Sequence, residues 1–195
     1  MVRSDSTSDE KLIERARGGD GHAFKVLVER YEGMVAATVI GMLGRGPEAE
    51  DVGQEAFIRF YGALDRFRGD AAVGTYLTRI AINQSLKAIR KRKGFLGRFS
   101  YGETDEIDVP DLTADVADRF DENERSDLVH DALGTLPPDQ RAVVVLRMLQ
   151  EYSTKETALM LGVPAGTVMS RLSRALEKLE KALEPIMRDN VTPQD

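Results

Sequence analysis

The sequence has no cysteine. That excludes a disulfide framework, thiolate zinc and iron–sulfur sites, and a cysteine nucleophile. Its two histidines, His22 and His130, are too few and too scattered for a histidine metal site, so no metal or cofactor is expected. Long apolar runs are missing as well. The longest uncharged one, Met34 to Gly44, covers 11 residues and cannot span a bilayer. Met1 to Glu10 is polar and acidic, without the apolar stretch of a secretory signal. These absences predict a soluble, cytoplasmic chain with no membrane insertion of its own.

What is present is 195 residues, 42% hydrophobic and 31% charged, enough for one medium or two small domains with real cores. The net charge of −6 argues against nucleic acid only as an average. Thr75 to Phe99 carries seven basic residues and no acid, a local charge of +7. Glu103 to Asp127 carries eleven acids against Arg119 and Arg125, or −9, and Tyr152 to Ala182 returns to +2. Salt screens beyond about 10 Å at 0.1 M, so a polyanion feels each patch rather than the total. The pattern implies basic functional surfaces joined by an acidic connector.

Helical periodicity dominates to about Lys93. Leu12, Ile13 and Ala16 open a short helix that stops at Gly18-Gly19. Phe24, Leu27, Tyr31, Val35 and Val39 mark a second, broken by Gly44, Gly46 and Pro47. Val52, Ala56, Phe60 and Ala63–Leu64 form the stripe of a third. After a loop from Phe67 to Gly74, a fourth begins near Thr75 with Leu77, Ile80, Ala81, Ala88 and Ile89 inward. Leu133, Leu136, Val143, Leu146 and Leu149 also fit a helix, so the fold is expected to be all-α. Residues 94–127 hold Gly94, Gly97, Gly102, Pro110 and most of the acidic charge, and read as a flexible linker reaching roughly 110 Å at full extension. The expected layout is a tail (1–9), a domain (10–93), the linker (94–127), a second small helical domain (128–187) and a tail (188–195).

Thr154 to Ser173 reads as a helix-turn-helix. Such a motif needs a small residue at the helix crossing, glycine in the turn and an apolar residue facing inward on the second helix. Ala158, Gly162 and Val168 meet those needs. Ser153 and Glu156 form a capping box, and Pro164 suits the entry to the next helix. With Val168, Leu172, Ala175, Leu176 and Leu179 inward, Thr167, Ser170, Arg171 and Arg174 are left for duplex DNA. The same pattern fits an ordinary helical hairpin with a solvated basic face.

On the fourth helix Arg79, Asn83, Lys87 and Arg90 fall on one polar stripe, extended by Lys91, Arg92 and Lys93. Such a stripe neutralises phosphates, and Asn83 is able to reach a base edge. Phe67 and Tyr76 beside it suit unstacked bases, though either aromatic also reads as core. On the third helix Asp51, Gln54, Glu55 and Ile58 lie away from Val52, Ala56 and Phe60. That face fits either a docking surface for a basic partner or plain solvation.

Taken together, these segments resemble a bacterial RNA polymerase sigma factor of the extracytoplasmic-function (ECF) group of the sigma-70 family. Gly18-Gly19-Asp20 … Ala23-Phe24 … Leu27 resembles the start of its first domain. Ala49-Glu50-Asp51-Val52 … Gln54-Glu55 … Phe57 resembles its core-polymerase segment. Phe67-Arg68-Gly69-Asp70 … Thr75-Tyr76-Leu77 … Ile80-Ala81 … Asn83 resembles its promoter-melting segment. Leu136-Pro137 … Gln140-Arg141 and Gly166-Thr167-Val168 … Ser170-Arg171-Leu172 … Arg174-Ala175 resemble its second domain.

The resemblance implies that Asp51, Gln54, Glu55, Phe57 and Ile58 dock the clamp helices of the polymerase's largest subunit. It implies −10 contacts by Phe67, Arg68, Asp70, Thr75, Tyr76, Arg79, Asn83, Lys87, Arg90 and Lys91. It implies −35 contacts by Thr167, Met169, Ser170, Arg171, Ser173 and Arg174, with the rest of that domain on the flap of the second-largest subunit. The linker would thread the polymerase's nucleic-acid channel, and an anti-sigma protein would restrain the chain. Two departures stand out: tyrosine at 76 where the family commonly has tryptophan, and Met169 where it often has a basic residue.

The rival readings are an autonomous helix-turn-helix regulator acting without polymerase, and a nucleic-acid enzyme. The first leaves Asp51–Phe57 unexplained, and the second lacks a carboxylate cluster or nucleophile–base pair at ordered spacing. Charge alone adds one expectation: in the free chain the acidic linker folds back over Thr75–Phe99 and suppresses duplex binding.

Overall fold

The computed structural model describes residues 7–69, 71–99 and 122–189, with side chains at 7–69, 71–92 and 128–184. Eight α-helices and no strand occur among the described residues. They are α1 (Asp9–Arg17), α2 (Gly21–Leu43), α3 (Pro47–Ala63), α4 (Val73–Phe99), α5 (Glu122–Gly134), α6 (Pro138–Val144), α7 (Thr154–Leu161) and α8 (Ala165–Asp189). A 3-10 turn (Leu64–Arg66) follows α3, and a π-helical turn (Val145–Leu149) continues α6. The chain divides into two compact units, Met1–Ala88 and Ile89–Asp195, the division falling within α4.

In the first unit the breaks sit where backbone chemistry puts them. Asp9 and Glu10 stand in the first turn of α1 and Arg15 and Arg17 in its last, matching the helix dipole. Asp20 caps α2 by accepting from the backbone N–H groups of His22 (3.0 Å) and Ala23 (3.1 Å). Pro47 opens α3, where its missing N–H costs nothing. Leu12, Leu27, Val35, Val39, Phe60 and Leu77 lie fully buried in one core with Ala23, Ala56 and Ala81. Those alanines let the helix backbones approach closely.

Helix α4 starts at Val73, two residues before the expected Thr75, and Val73 is itself buried. Its buried side is wider than the expected stripe, adding Thr78, Ile82, Ser85 and Leu86. Gly74 lies so close to α2 that a Cβ there would stand 3.2 Å from Tyr31 Cε1 and 3.3 Å from Met34 Sδ. Helices occupy both ends of the segment read as linker, 94–99 and 122–127. Residues 100–121, which carry most of its charge and the fold-back expectation, lie outside the described residues.

In the second unit Leu133, Leu136, Val144 and Ala175 form a core with Leu172 and Leu179 packed on it. Arg141 is buried and donates to the carbonyls of Gly134 and Leu136 (the latter at 3.2 Å), tying the end of α5 to α6. Leu149 departs from the expected inward stripe and is 43% exposed. The π turn inserts extra residues per turn and rotates positions beyond Leu146 off the inward face, leaving Met148 exposed as well. Leu176 is also turned outward, because Ala175, fully buried, takes the inward place one residue earlier.

Candidate nucleic-acid and protein interfaces

Along α4, Arg79, Asn83, Lys87, Arg90, Lys91 and Arg92 are all exposed, while Leu77, Ala81, Ile82, Leu86 and Ile89 are buried behind them. The three- and four-residue spacing that buries one side aligns the cations on the other. From Arg79 to Arg90 the stripe runs about 16 Å at 1.5 Å per residue.

An aromatic cluster lies beneath the start of this helix. Phe67 meets Tyr76 with ring centroids 5.2 Å apart at 73°, and Phe60 at 5.8 Å and 88°. Phe60 also touches Tyr76 and Phe24, and Phe24 touches Tyr61 edge-on at 4.8 Å. Such edge-to-face pairs favour a fixed geometry. Phe67 is only 8% exposed and packs edge-to-face with Phe60 and Tyr76, which favours the core one of its two sequence readings. Tyr76 and Thr75 are half-buried and Arg68 is exposed. Asp70 lies outside the described residues.

Sequence reasoning missed what fixes this loop. Arg17 at the end of α1 donates from Nε to the Leu64 carbonyl (2.7 Å) and from Nη2 to the Phe67 carbonyl. Nothing local marks these contacts, since they join residues 47 and 50 positions apart. Tyr31 and Arg30 of α2 both bond Asp9 of α1. Burial first, and Asp9 second, push the Tyr31 phenol above its ordinary pKa.

Of the residues singled out on α3, most are exposed and two border a cleft against α2. Asp51 and Ile58 are exposed, Ile58 at 65%, and Glu55 pairs with Arg59 (2.7 Å). Gln54, also exposed, and the half-buried Phe57 line a cleft between α2 and α3 of about 460 Å³, with Val35, Ala36, Ile40 and Ala49 as its apolar wall. Glu32, Arg45 and Glu50 supply its charged lining. The α2 half of this cleft was also missed: Val35 reads as core, and nothing local marks Ala36 and Ile40 as lining a cleft.

The helix-turn-helix forms as its signals require. Ser153 accepts from the Glu156 backbone N–H while Glu156 accepts from the Ser153 backbone N–H and hydroxyl. These bonds hold the Glu156 carboxyl below the usual carboxylate range. Gly162 ends α7 at φ +65°, a left-handed conformation open to glycine at little cost. Val168 is fully buried, so Ser170, Ser173 and Arg174 face solvent with the exposed Met169 and the half-buried Thr167. The Thr154 hydroxyl lies 3.6 Å from Met169 Sδ. Arg171 departs from the expected free recognition side chain: its Nη2 donates to Asp139 Oδ2 of α6 at 2.8 Å. Among the described residues no group of three His, Asp or Glu is placed to hold a metal, and no helix is long and apolar enough to cross a membrane.

Residues 27–95 match the description sigma-70 region 2, and residues 126–179 match sigma-70, region 4. The RNA polymerase sigma-H factor of Pseudomonas aeruginosa is 36% identical over 197 residues, covering 93% of this chain and 96% of that protein. The ECF RNA polymerase sigma-E factor of Escherichia coli is 35% identical over 193 residues, 95% of this chain and 99% of that protein. Among solved structures, CnrH in complex with the cytosolic domain of CnrY superposes with a TM-score of 0.62 at 26% identity, covering 91% and 97% of the two chains. The sigma factor RpoE of Bartonella quintana, solved with the anti-sigma factor NepR, shares the fold at a TM-score of 0.63 and 24% identity, covering 83% of this chain and 96% of that one. The two matched regions, with relatives aligned nearly end to end, define a transcription initiation factor. The chain belongs to the sigma-70 family, in its ECF group.

Proposed function

We propose that this sigma factor binds core RNA polymerase, recognises promoters through −35 and −10 elements, helps melt the DNA, and is held inactive by an anti-sigma factor. The observation that carries the proposal is the pairing of two DNA-competent surfaces in one chain: the exposed basic stripe of α4 and a capped helix-turn-helix. In this reading residues 10–93 act as region 2 and 128–187 as region 4, joined by the acidic segment between them.

Asp51, Glu55 and Ile58, together with Gln54 and Phe57 of the adjoining cleft, dock the clamp helices of the largest subunit. An acidic rim around apolar contact area suits a basic, partly apolar helix pair. Arg79, Asn83, Lys87, Arg90 and Lys91 hold the −10 strand. Tyr76, braced by Phe60 and Phe67, gives the half-exposed ring against which an unstacked base rests; Arg68, Asp70 and Thr75 are the other −10 contacts of this reading. Thr167, Met169, Ser170, Ser173 and Arg174 meet the −35 duplex, and the rest of region 4 meets the flap. The anti-sigma restraint draws support from the solved relative in complex with NepR. The chain acts in the cytoplasm, as a regulator and not an enzyme.

The test is co-elution with purified core polymerase. Asp51→Lys combined with Glu55→Lys is expected to abolish co-elution while circular dichroism and melting stay unchanged. Undiminished co-elution refutes the α3 assignment. An autonomous regulator would ignore these substitutions and bind duplex DNA tightly by itself.

A further inference from the structure

Arg171 and Asp139 stand 32 residues apart in sequence and meet at 2.8 Å, from the recognition helix α8 to the first turn of α6. The side chain of Arg171 is 25% exposed and that of Asp139 52%. Three residues on, Arg174 is exposed and carries no ion pair among the described residues. One turn of the recognition helix thus presents two arginines in opposite conditions, one neutralised by a neighbouring helix and one free. A partly solvated pair of this kind adds little to fold stability, so stability alone gives no strong reason for it.

We propose that Asp139 sets the strength of sequence-independent DNA binding by the recognition helix: it neutralises Arg171 and keeps it from acting as a general phosphate ligand. The proposal rests on the recognition-helix reading of α8 given above. Phosphate contacts carry no sequence information, and each one formed releases counterions and strengthens binding to every duplex alike. Removing one such cation from play lowers binding to every duplex, promoter and unrelated alike, and makes that binding less salt-dependent. Arg174, Ser170 and Met169 are then left to discriminate. Asp139 adds to the effect, since its own negative charge beside the helix repels the backbone of any duplex.

The experiment titrates the full chain against a fluorescent duplex of unrelated sequence between 50 and 200 mM salt. Asp139→Ala is expected to steepen the dependence of log K on log salt by about 0.9, the value for one added phosphate contact. Over that fourfold range the variant's affinity would fall about 3.5-fold more than the wild type's. Arg171→Gln alone is expected to leave the slope unchanged, and the double variant to restore the wild-type slope. On unrelated DNA Arg174 has no matching base and meets phosphate instead, so Arg174→Gln is expected to make the slope shallower by about 0.9. If Asp139→Ala lowers the melting temperature and leaves the slope alone, the pair is only a tie between helices and the proposal fails. If Arg171→Gln by itself makes the slope shallower, Arg171 already holds a phosphate and the proposal fails. If Arg174→Gln has no effect, the recognition-helix reading fails, and the proposal falls with it by a separable route.

Discussion

Replacing Arg79, Lys87 and Arg90 together by glutamine removes three cations from the exposed stripe of α4 without touching the buried side of the helix. Exposed substitutions of this kind change stability by no more than about 0.5 kcal/mol, so the variant is expected to melt with the wild type. Binding is another matter. Each cation lost from a single-stranded contact makes the salt slope shallower by about 0.7, so three remove about 2.1. Between 50 and 200 mM salt, wild-type affinity would therefore fall about 18-fold further than that of the variant. The assay is fluorescence anisotropy of the full chain with a labelled single-stranded oligonucleotide at four or five salt concentrations. Parallel slopes for the two proteins would refute the reasoning, even if the variant bound more weakly. A weaker, parallel line means the stripe acts through shape or folding and not through phosphate.

Three further outcomes are expected. Phe60→Ala removes the ring on which Phe24, Phe67 and Tyr76 converge and is expected to cost about 3–5 kcal/mol in denaturant unfolding; a cost under 1 kcal/mol would contradict the packing described. Arg17→Met leaves the Leu64 and Phe67 carbonyls without their charged donor, at about 1.5 kcal/mol; hydrogen exchange around residues 64–69 should speed up while the helix-turn-helix stays protected. Ser153→Ala removes the α7 cap at about 1 kcal/mol. The Glu156 carboxyl is lowered in the folded chain, first by the Ser153 hydroxyl and then by its backbone N–H. A lowered carboxylate stabilises above its unfolded pKa and loses that contribution as pH falls through the folded value. The gap between Ser153→Ala and wild type should therefore be full at neutral pH and narrow in acid, which melting curves at several pH values will show.

Much of the site was legible because its signals are local. Residues three and four apart share a helix face, so the α4 stripe and its buried back follow from periodicity, as do Ser153 with Glu156 and the glycine at 162. What was not legible depends on contacts between distant residues. Arg171 reads as a free recognition side chain until α6 brings Asp139 against it. Phe67 reads as core or as a stacking platform, with core favoured, until Phe60 and Tyr76 close around it. Phe57 separates from the exposed Asp51, Gln54 and Ile58 because α2 lies along one side of α3 and leaves the other to solvent. Leu149 and Leu176 failed for a different reason. Both are apolar and near the right spacing, but a π turn and a neighbouring alanine shift which residue faces inward.

Run-off transcription with purified bacterial core polymerase over a randomised promoter library tests the central claim most directly. Initiation that requires this chain, from templates sharing −35 and −10 blocks at fixed spacing, is the predicted result. Core polymerase that neither starts from such templates in its presence nor retains it on a sizing column would contradict the account.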